Sequence, residues 1–234
     1  MSSSIPPNRS SSPDNVANYV LEGIKSGRFV PGQRLIEADL SENLYTSRGP
    51  IREAFKRLAA EGVLTLVPHR GAYVRTLTRR EVTEVLVIQE SLSALAARLA
   101  AERISADDNR ELFLSAYERL TADTSISDIH DLLDRRAEFY ATLVAIGGNE
   151  ELQRFVPIPQ TNLLRTQFVR HFTNHERARE LQEYATIARH VLAGASHQAE
   201  SAMRRHIKNS RMSIEQLPDD AFAMEPEGPP PRHD

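Results

Sequence analysis

The sequence predicts a mainly α protein in two parts: an N-terminal winged helix-turn-helix with a small β wing, joined to an all-α antiparallel bundle of six or seven helices. Three observations predict it. Between Arg34 and Arg75 the chain reads as a helix, a short turn, a second helix with an arginine at its start, and two short apolar runs around a glycine. From Thr78 to about Gln216 the apolar residues recur almost only at helical spacing. Charge divides the same way: residues 1–80 hold 12 Lys and Arg against 7 Asp and Glu, a net +5, so with −3 for all 234 residues the remainder carries −8.

In the first part, Pro31-Gly32 marks a turn and Leu35-Ile36 resumes an apolar pattern. Ala38 to Leu44 forms one short helix. The next opens at Ser47, a good N-cap, tolerates Pro50 in its first turn, and repeats Ile51, Ala54, Phe55 and Leu58 at helical spacing. Those apolar residues pack inward and leave Arg48, Arg52 and Lys56 free. A helix presented this way enters the major groove of duplex DNA, with side chains near its N-terminus reaching base edges and its end favouring a phosphate. Arg48 and Arg52 are the first candidates for contact, and Ser47 and Gly49 meet the backbone through hydroxyl and main-chain N–H groups. After Glu61-Gly62, Val63 to Val67 and Ala72 to Val74 are the two wing strands. His69, Arg70 and Gly71 sit at the wing tip, where a basic side chain reaches an adjacent groove or phosphate.

The second part begins with Thr78-Arg79-Arg80-Glu81, the pattern of a capping box. Val82, Val85, Leu86, Leu92, Leu95, Leu99 and Ala100 make the first long stripe. Further helices run from Ala106 to Leu120 and from Ile129 to Ile146, where Gly147-Gly148-Asn149 breaks the pattern. Pro157 and Pro159 interrupt the next, which resumes from Asn162 to Phe172; the last two span Glu176 to Leu192 and His197 to Leu217. The boundaries are an arm at 1–13, the winged domain at 14–76, a linker at 77–80, the helical domain at 81–217 and a tail at 218–234. The Ser- and Pro-rich arm and the Pro-rich acidic tail are expected to be disordered.

With no cysteine, disulfides and thiolate metal sites are excluded. No stretch approaches the roughly 20 apolar residues of a membrane span, and Met1-Ser-Ser-Ser-Ile-Pro-Pro lacks the apolar core of a signal peptide, so a cytoplasmic protein is expected. A basic first part beside an acidic second part suits DNA binding by the first alone, because phosphate attraction acts locally. There is no glycine-rich phosphate loop, nucleophile elbow or metalloprotease histidine pair, and no enzyme is expected. His171 and His175, four apart, lack a third ligand nearby, and Asp131, Asp134, Arg135 and Glu138 form a solvated charged face.

Four linked blocks then carry a resemblance: Pro31-Gly32-Gln33-Arg34-Leu35-Ile36-Glu37, Ser47 to Leu58, Glu61-Gly62-Val63 and Arg70-Gly71-Ala72-Tyr73-Val74. Together they resemble the DNA-binding domain of the GntR family of bacterial transcription regulators. The departure is Tyr45, where the family usually has a turn glycine. Leu95 to Arg103, Phe139 to Leu143 with Gly148-Asn149, Glu183-Tyr184 and Ala202 to Ile207 resemble the FCD effector-binding domain of its FadR-like branch. The resemblance implies a homodimer on a pseudo-palindromic double-stranded operator, in agreement with the need of one short recognition helix for a second half-site. It implies a regulator, read here as a repressor responding to a small organic acid. The alternative is a ligand-independent architectural DNA-binding dimer.

Many members of that branch hold a divalent metal through an aspartate and three histidines. The matching positions here read Arg136, Tyr140, Tyr184 and His206. Arginine offers no lone pair to a metal, so neither metal nor other cofactor is expected. Arg136 can instead supply the missing positive charge to a small carboxylate effector, with Tyr140, Tyr184 and His206 adding hydrogen bonds. The competing reading pairs Arg136 with an internal carboxylate and leaves the tyrosines to fill space.

Overall fold

The computed structural model describes residues 12–122, 129–155 and 158–224. The first part contains α1 (Pro13–Lys25), β1 (Arg34–Leu35), α2 (Glu37–Leu44), α3 (Arg48–Ala60), β2 (Leu64–Val67) and β3 (Gly71–Val74). β3 lies between β1 and β2 in an antiparallel sheet, with Leu64 opposite Val74 and Val67 opposite Gly71. The expected helix-turn-helix and wing are present. α1 is an addition to the expected elements: Ser12 caps it, Pro13 starts it, and Val16, Ala17, Val20 and Ile24 bury one face against α3. The arm expected to be disordered therefore ends before Ser12, and its residues 1–11 lie outside those described.

Among the described residues seven α-helices follow: α4 (Arg79–Arg103), α5 (Asn109–Thr121), α6 (Ile129–Gly147), α7 (Glu150–Phe155), α8 (Ile158–Phe168), α9 (Asn174–Leu192) and α10 (Ser196–Glu215). The predicted capping box starts α4: Glu81 N–H donates to the Thr78 hydroxyl at 3.2 Å, and the Glu81 carboxylate accepts from Thr78 N–H at 2.9 Å. α4 is the central helix, packed on α10 and α6. Its Ala96, Ala97, Ala100 and Ala101 are small enough for close approach and fully buried. Gly148, at φ +60°, ends α6 in the left-handed region, and the Asn149 side chain caps α7 by accepting from Leu152 N–H at 2.9 Å. α8 starts four residues before the expected resumption at Asn162, with Pro159 in its first turn, where a missing N–H costs nothing.

Two boundaries differ from expectation. Arg79 and Arg80, assigned to a linker, already belong to α4, and Leu77 before them is buried. The tail does not begin at residue 218: Asp219–Ala221 form a 3₁₀ turn and Phe222 is 8% exposed. Arg79 explains this, because its guanidinium donates to the Leu217 carbonyl and to Asp219, both at 2.8 Å, and lies 4.1 Å from the Phe222 ring centre. Gln167 of α8 bridges the same region, donating to the Leu77 and Ala221 carbonyls at 3.2 and 2.9 Å and accepting from Leu77 N–H at 2.9 Å. The residues from Glu225 onward lie outside those described. Buried side chains run without a break from the winged part through Leu77 into the bundle.

Phe222→Ala removes a ring that this tail segment places against Phe168. It is expected to lower unfolding stability by about 2–3 kcal/mol, read as a lower denaturant midpoint at an unchanged slope. A midpoint equal to that of the parent would show the segment to be idle.

Candidate functional site

The first candidate surface is the N-terminal end of α3. Ser47 has N-cap backbone geometry but its hydroxyl makes no capping hydrogen bond. Ser47, Arg48, Gly49, Arg52 and Lys56 are all exposed, while Ile51, Ala54, Phe55 and Leu58 on the same helix are buried. A Cβ built on Gly49 would meet nothing within 4 Å, so the helix end is open to a bulky polyanion. The turn before it is made by Tyr45 at φ 50° and ψ 44°, the left-handed conformation that glycine adopts most readily, with the side chain 88% exposed. Tyr45 thus replaces glycine without changing the turn. The Arg52 Nε lies 3.1 Å from both carboxylate oxygens of Glu37. Glu37 therefore orients Arg52 through one nitrogen and leaves its two terminal nitrogens without a hydrogen bond among the described residues. Lys56 pairs with Glu53 at 3.0 Å, both exposed, which is a weak tie.

His69, Arg70 and Gly71 occupy the exposed wing tip, with His69 at φ 62° and Gly71 at φ 99°. Arg34 on β1 joins them: it is exposed, has no ion pair among the described residues, and its Nε would lie 3.7 Å from a Cβ on Gly71. Sequence reasoning missed Arg34 because β1, two residues long, gives no periodic signal.

The second candidate lies in the bundle, where α6, α9 and α10 bring Arg136, Tyr140, Tyr184 and His206 together. The Tyr184 ring is 6.5 Å from that of Tyr140 and 4.6 Å from that of His206, and the Arg136 guanidinium is 5.8 Å from it. The charge of Arg136 is already engaged: it pairs with the partly buried Glu180 of α9, the arrangement of the competing reading of the sequence. His206 Nδ1 lies 2.7 Å from a Glu183 oxygen and its Nε2 lies 3.1 Å from the Tyr140 hydroxyl. Burial alone would raise the Glu183 carboxyl, but hydrogen bonds from His206 and Asn209 hold it below the usual range. An ionised Glu183 accepts a hydrogen bond from the Nδ1–H of His206, and in that tautomer of the neutral ring Nε2 accepts from the Tyr140 hydroxyl. Burial raises both tyrosine hydroxyls, keeping them as phenols. A guanidinium, two phenols and an imidazole whose lone pair is engaged do not fit a divalent cation.

Beside this cluster a cavity of about 680 Å³ opens between α1 and the bundle. Tyr140 lines it; Arg136, Tyr184 and His206 do not. Lys25, Arg119 and Arg165 line it, and Arg165 of α8 is half-buried, 4.7 Å from the Tyr140 ring centre and without a side-chain hydrogen bond or ion pair among the described residues. Burial pushes the Arg165 guanidinium below its ordinary value and Arg136 pushes the same way. Thr161, one helical turn earlier, is 7% exposed and its hydroxyl has no partner among the described residues. Gln89 of α4, 6% exposed, completes a polar end. Asp134 and Glu138, expected on a solvated face, are at the rim instead, paired with Lys25 of α1 at 2.9 Å and Arg119 of α5 at 2.6 Å. The signal for Arg165 was its spacing of four from Thr161, hidden because Thr161 fell before the expected helix start.

Two outcomes follow from the buried charges. Arg136→Leu leaves Glu180 uncompensated and is expected to cost about 3–5 kcal/mol, whereas Arg136→Leu with Glu180→Leu recovers most of it; equal losses in chemical denaturation would refute the pairing. Glu183 has a folded value below its unfolded one, so its contribution is complete above about pH 4.3 and disappears as pH falls through the folded value. Thermal midpoints measured from pH 6 to pH 3 should fall less steeply for Glu183→Gln than for the parent.

Comparison with known proteins agrees with this geometry. Residues 13–74 match the model of the bacterial regulatory proteins of the gntR family, and residues 84–209 match that of the FCD domain. The Nta operon transcriptional regulator of Aminobacter aminovorans is 32% identical over 131 residues, covering 56% of this chain and 61% of that protein. A probable D-xylose utilization operon transcriptional repressor of Paenarthrobacter nicotinovorans is 37% identical over 86 residues, 37% of this chain and 38% of that protein. The chain thus matches less than two thirds of the length of these curated relatives. Among solved structures, a GntR regulator from Rhodococcus sp. RHA1 shares the fold with a TM-score of 0.74 at 21% identity, over 86% of this chain and 96% of that one. The chain belongs to the gntR family of bacterial regulatory proteins, in the branch whose winged helix-turn-helix is followed by an FCD domain.

Proposed function

We propose that this protein is a sequence-specific DNA-binding transcription regulator, acting as a repressor and responding to a small organic acid bound in its helical domain. The observation that carries the reading is the exposed end of α3, where Arg48 and Arg52, the latter paired with Glu37, stand exposed above a buried apolar face, with Arg34 and Arg70 exposed at the wing. Arg48 and Arg52 reach base edges, Ser47 and Gly49 meet the phosphate backbone, and Lys56, His69, Arg70 and Gly71 add contacts beside it. Two copies bind a pseudo-palindromic operator, because one helix of this length reads too few base pairs. Repression is supported by the name of the Paenarthrobacter relative. The cavity beside the Arg136 cluster supports ligand response over a purely architectural role, and its own arginine, not a metal, supplies the positive charge.

Selection of bound fragments from the source genome by the purified protein is expected to recover a few palindromic sites, and Arg48→Ala/Arg52→Ala to recover none. Fragments without a shared motif would refute sequence-specific regulation. On a recovered site, Lys56→Ala or Arg70→Ala should weaken binding evenly across sequences and reduce the slope of log K against log salt by about 1; an unchanged slope removes that residue from the interface.

A further inference from the structure

We propose that the cavity between α1 and the bundle is a site for a monoanion with an apolar body, whose acid head is held by Arg165, Thr161 and Gln89 and whose body lies against the winged domain's own first helix. This rests on the reading of the protein as a ligand-responsive regulator and narrows its ligand.

The head site is built from groups without a hydrogen bond or ion pair among the described residues. Thr161 and Arg165 stand one turn apart on α8 and face the cavity together. A buried hydroxyl without a partner and a half-buried guanidinium without an anion are both unfavourable, and a carboxylate satisfies both at once. The Gln89 amide, from the facing α4, has no hydrogen bond among the described residues and offers a further donor.

The rest of the wall is mainly apolar, with Leu92 and Ala96 of α4 and Ala137, Ala141 and Val144 of α6 beside the polar Ser93 and Gln153. A sugar acid would find partners there for few of its hydroxyls. At the rim, Lys25 and Arg119 are neutralised by Asp134 and Glu138, and Glu22 adds another negative charge. With Arg165 set aside, the lining is net negative. It favours one anionic group at the inner end and repels a second at the rim.

Glu22 and Lys25 belong to α1, whose other face packs on α3. The Thr166 hydroxyl of α8 also donates to the Ile24 carbonyl at 3.1 Å. An occupant that fills the cavity therefore touches the domain that carries the DNA surface.

Calorimetric titration of the full chain with octanoate, phenylacetate, adipate, gluconate and octanamide tests the site. Octanoate or phenylacetate should bind at least about tenfold more tightly than adipate, gluconate and octanamide. Arg165→Gln should remove at least about tenfold of that affinity, Arg165→Lys less, and Thr161→Val a smaller part. Thermal unfolding of each variant verifies folding, and if Arg165→Gln does not fold, Thr161→Val and Gln89→Leu carry the test. Adipate or gluconate binding as tightly as the monoanions, undiminished binding by folded Arg165→Gln, or binding of no probe would overturn the proposal. Operator selection separates the two readings. Recovered operators with Arg165-independent binding would sink the site alone, and Arg165-dependent binding without any operator would sink the regulator alone.

Discussion

The docking of α1 decides how the two halves of this protein relate. A winged helix-turn-helix needs a third helix to cover the back of its recognition helix, and α1 does that with Val16, Val20 and Ile24. Its far end is tied to the bundle through the Ile24 carbonyl and the Lys25 ammonium. The second tie is partly exposed and contributes little energy, but it fixes direction. Leu77, buried and held from both sides by Gln167, makes the connection between halves part of the core. The winged domain is consequently mounted on the helical bundle, not tethered to it.

Inside the bundle, electrostatics separate two arginines that are close in space and opposite in role. Arg136 has a partly buried carboxylate, Glu180, as partner and serves the fold. Arg165 has an aromatic face and the repulsion of Arg136, and no ion pair among the described residues. A pair such as Arg136–Glu180 is costly to break and gives little net stability when whole. Its effect here is to raise the demand for an anion at Arg165, because Glu180, the carboxylate that acts on both arginines, is already claimed.

Most of the fold was legible because its determinants are local. The capping box at Thr78, the glycine break after α6 and the apolar spacing of α3 are each written in a few consecutive residues. α1 and the tail segment were not, for different reasons. α1 sits beside a Ser- and Pro-rich arm whose composition masks it, and Pro218 to Ala223 are ordered by Arg79 and Gln167, residues distant in sequence. The DNA-contact candidates share the same locality, while Arg34 became apparent only when β1 paired with β3. The ligand site was legible only as a neighbourhood. Which arginine is free depends on where Glu180 lies, and that is a fact of helix packing across α6 and α9.

This placement bears on how ligand and DNA affect one another. Coupling between two sites needs a ligand that binds one arrangement of the connecting element better than another. An element buried wholly in the bundle would have to pass such a preference through several packed layers. α1 is wall to the cavity on one face and support to α3 on the other, so a body pressing on Glu22 and Lys25 discriminates directly between positions of the winged domain. By reciprocity, DNA that holds the winged domain in one position must alter affinity in the cavity by the same factor. The coupling is then set by how the apolar body meets α1, and the affinity by how the acid head meets Arg165; two ligands with the same head and different bodies can bind equally and act on DNA differently.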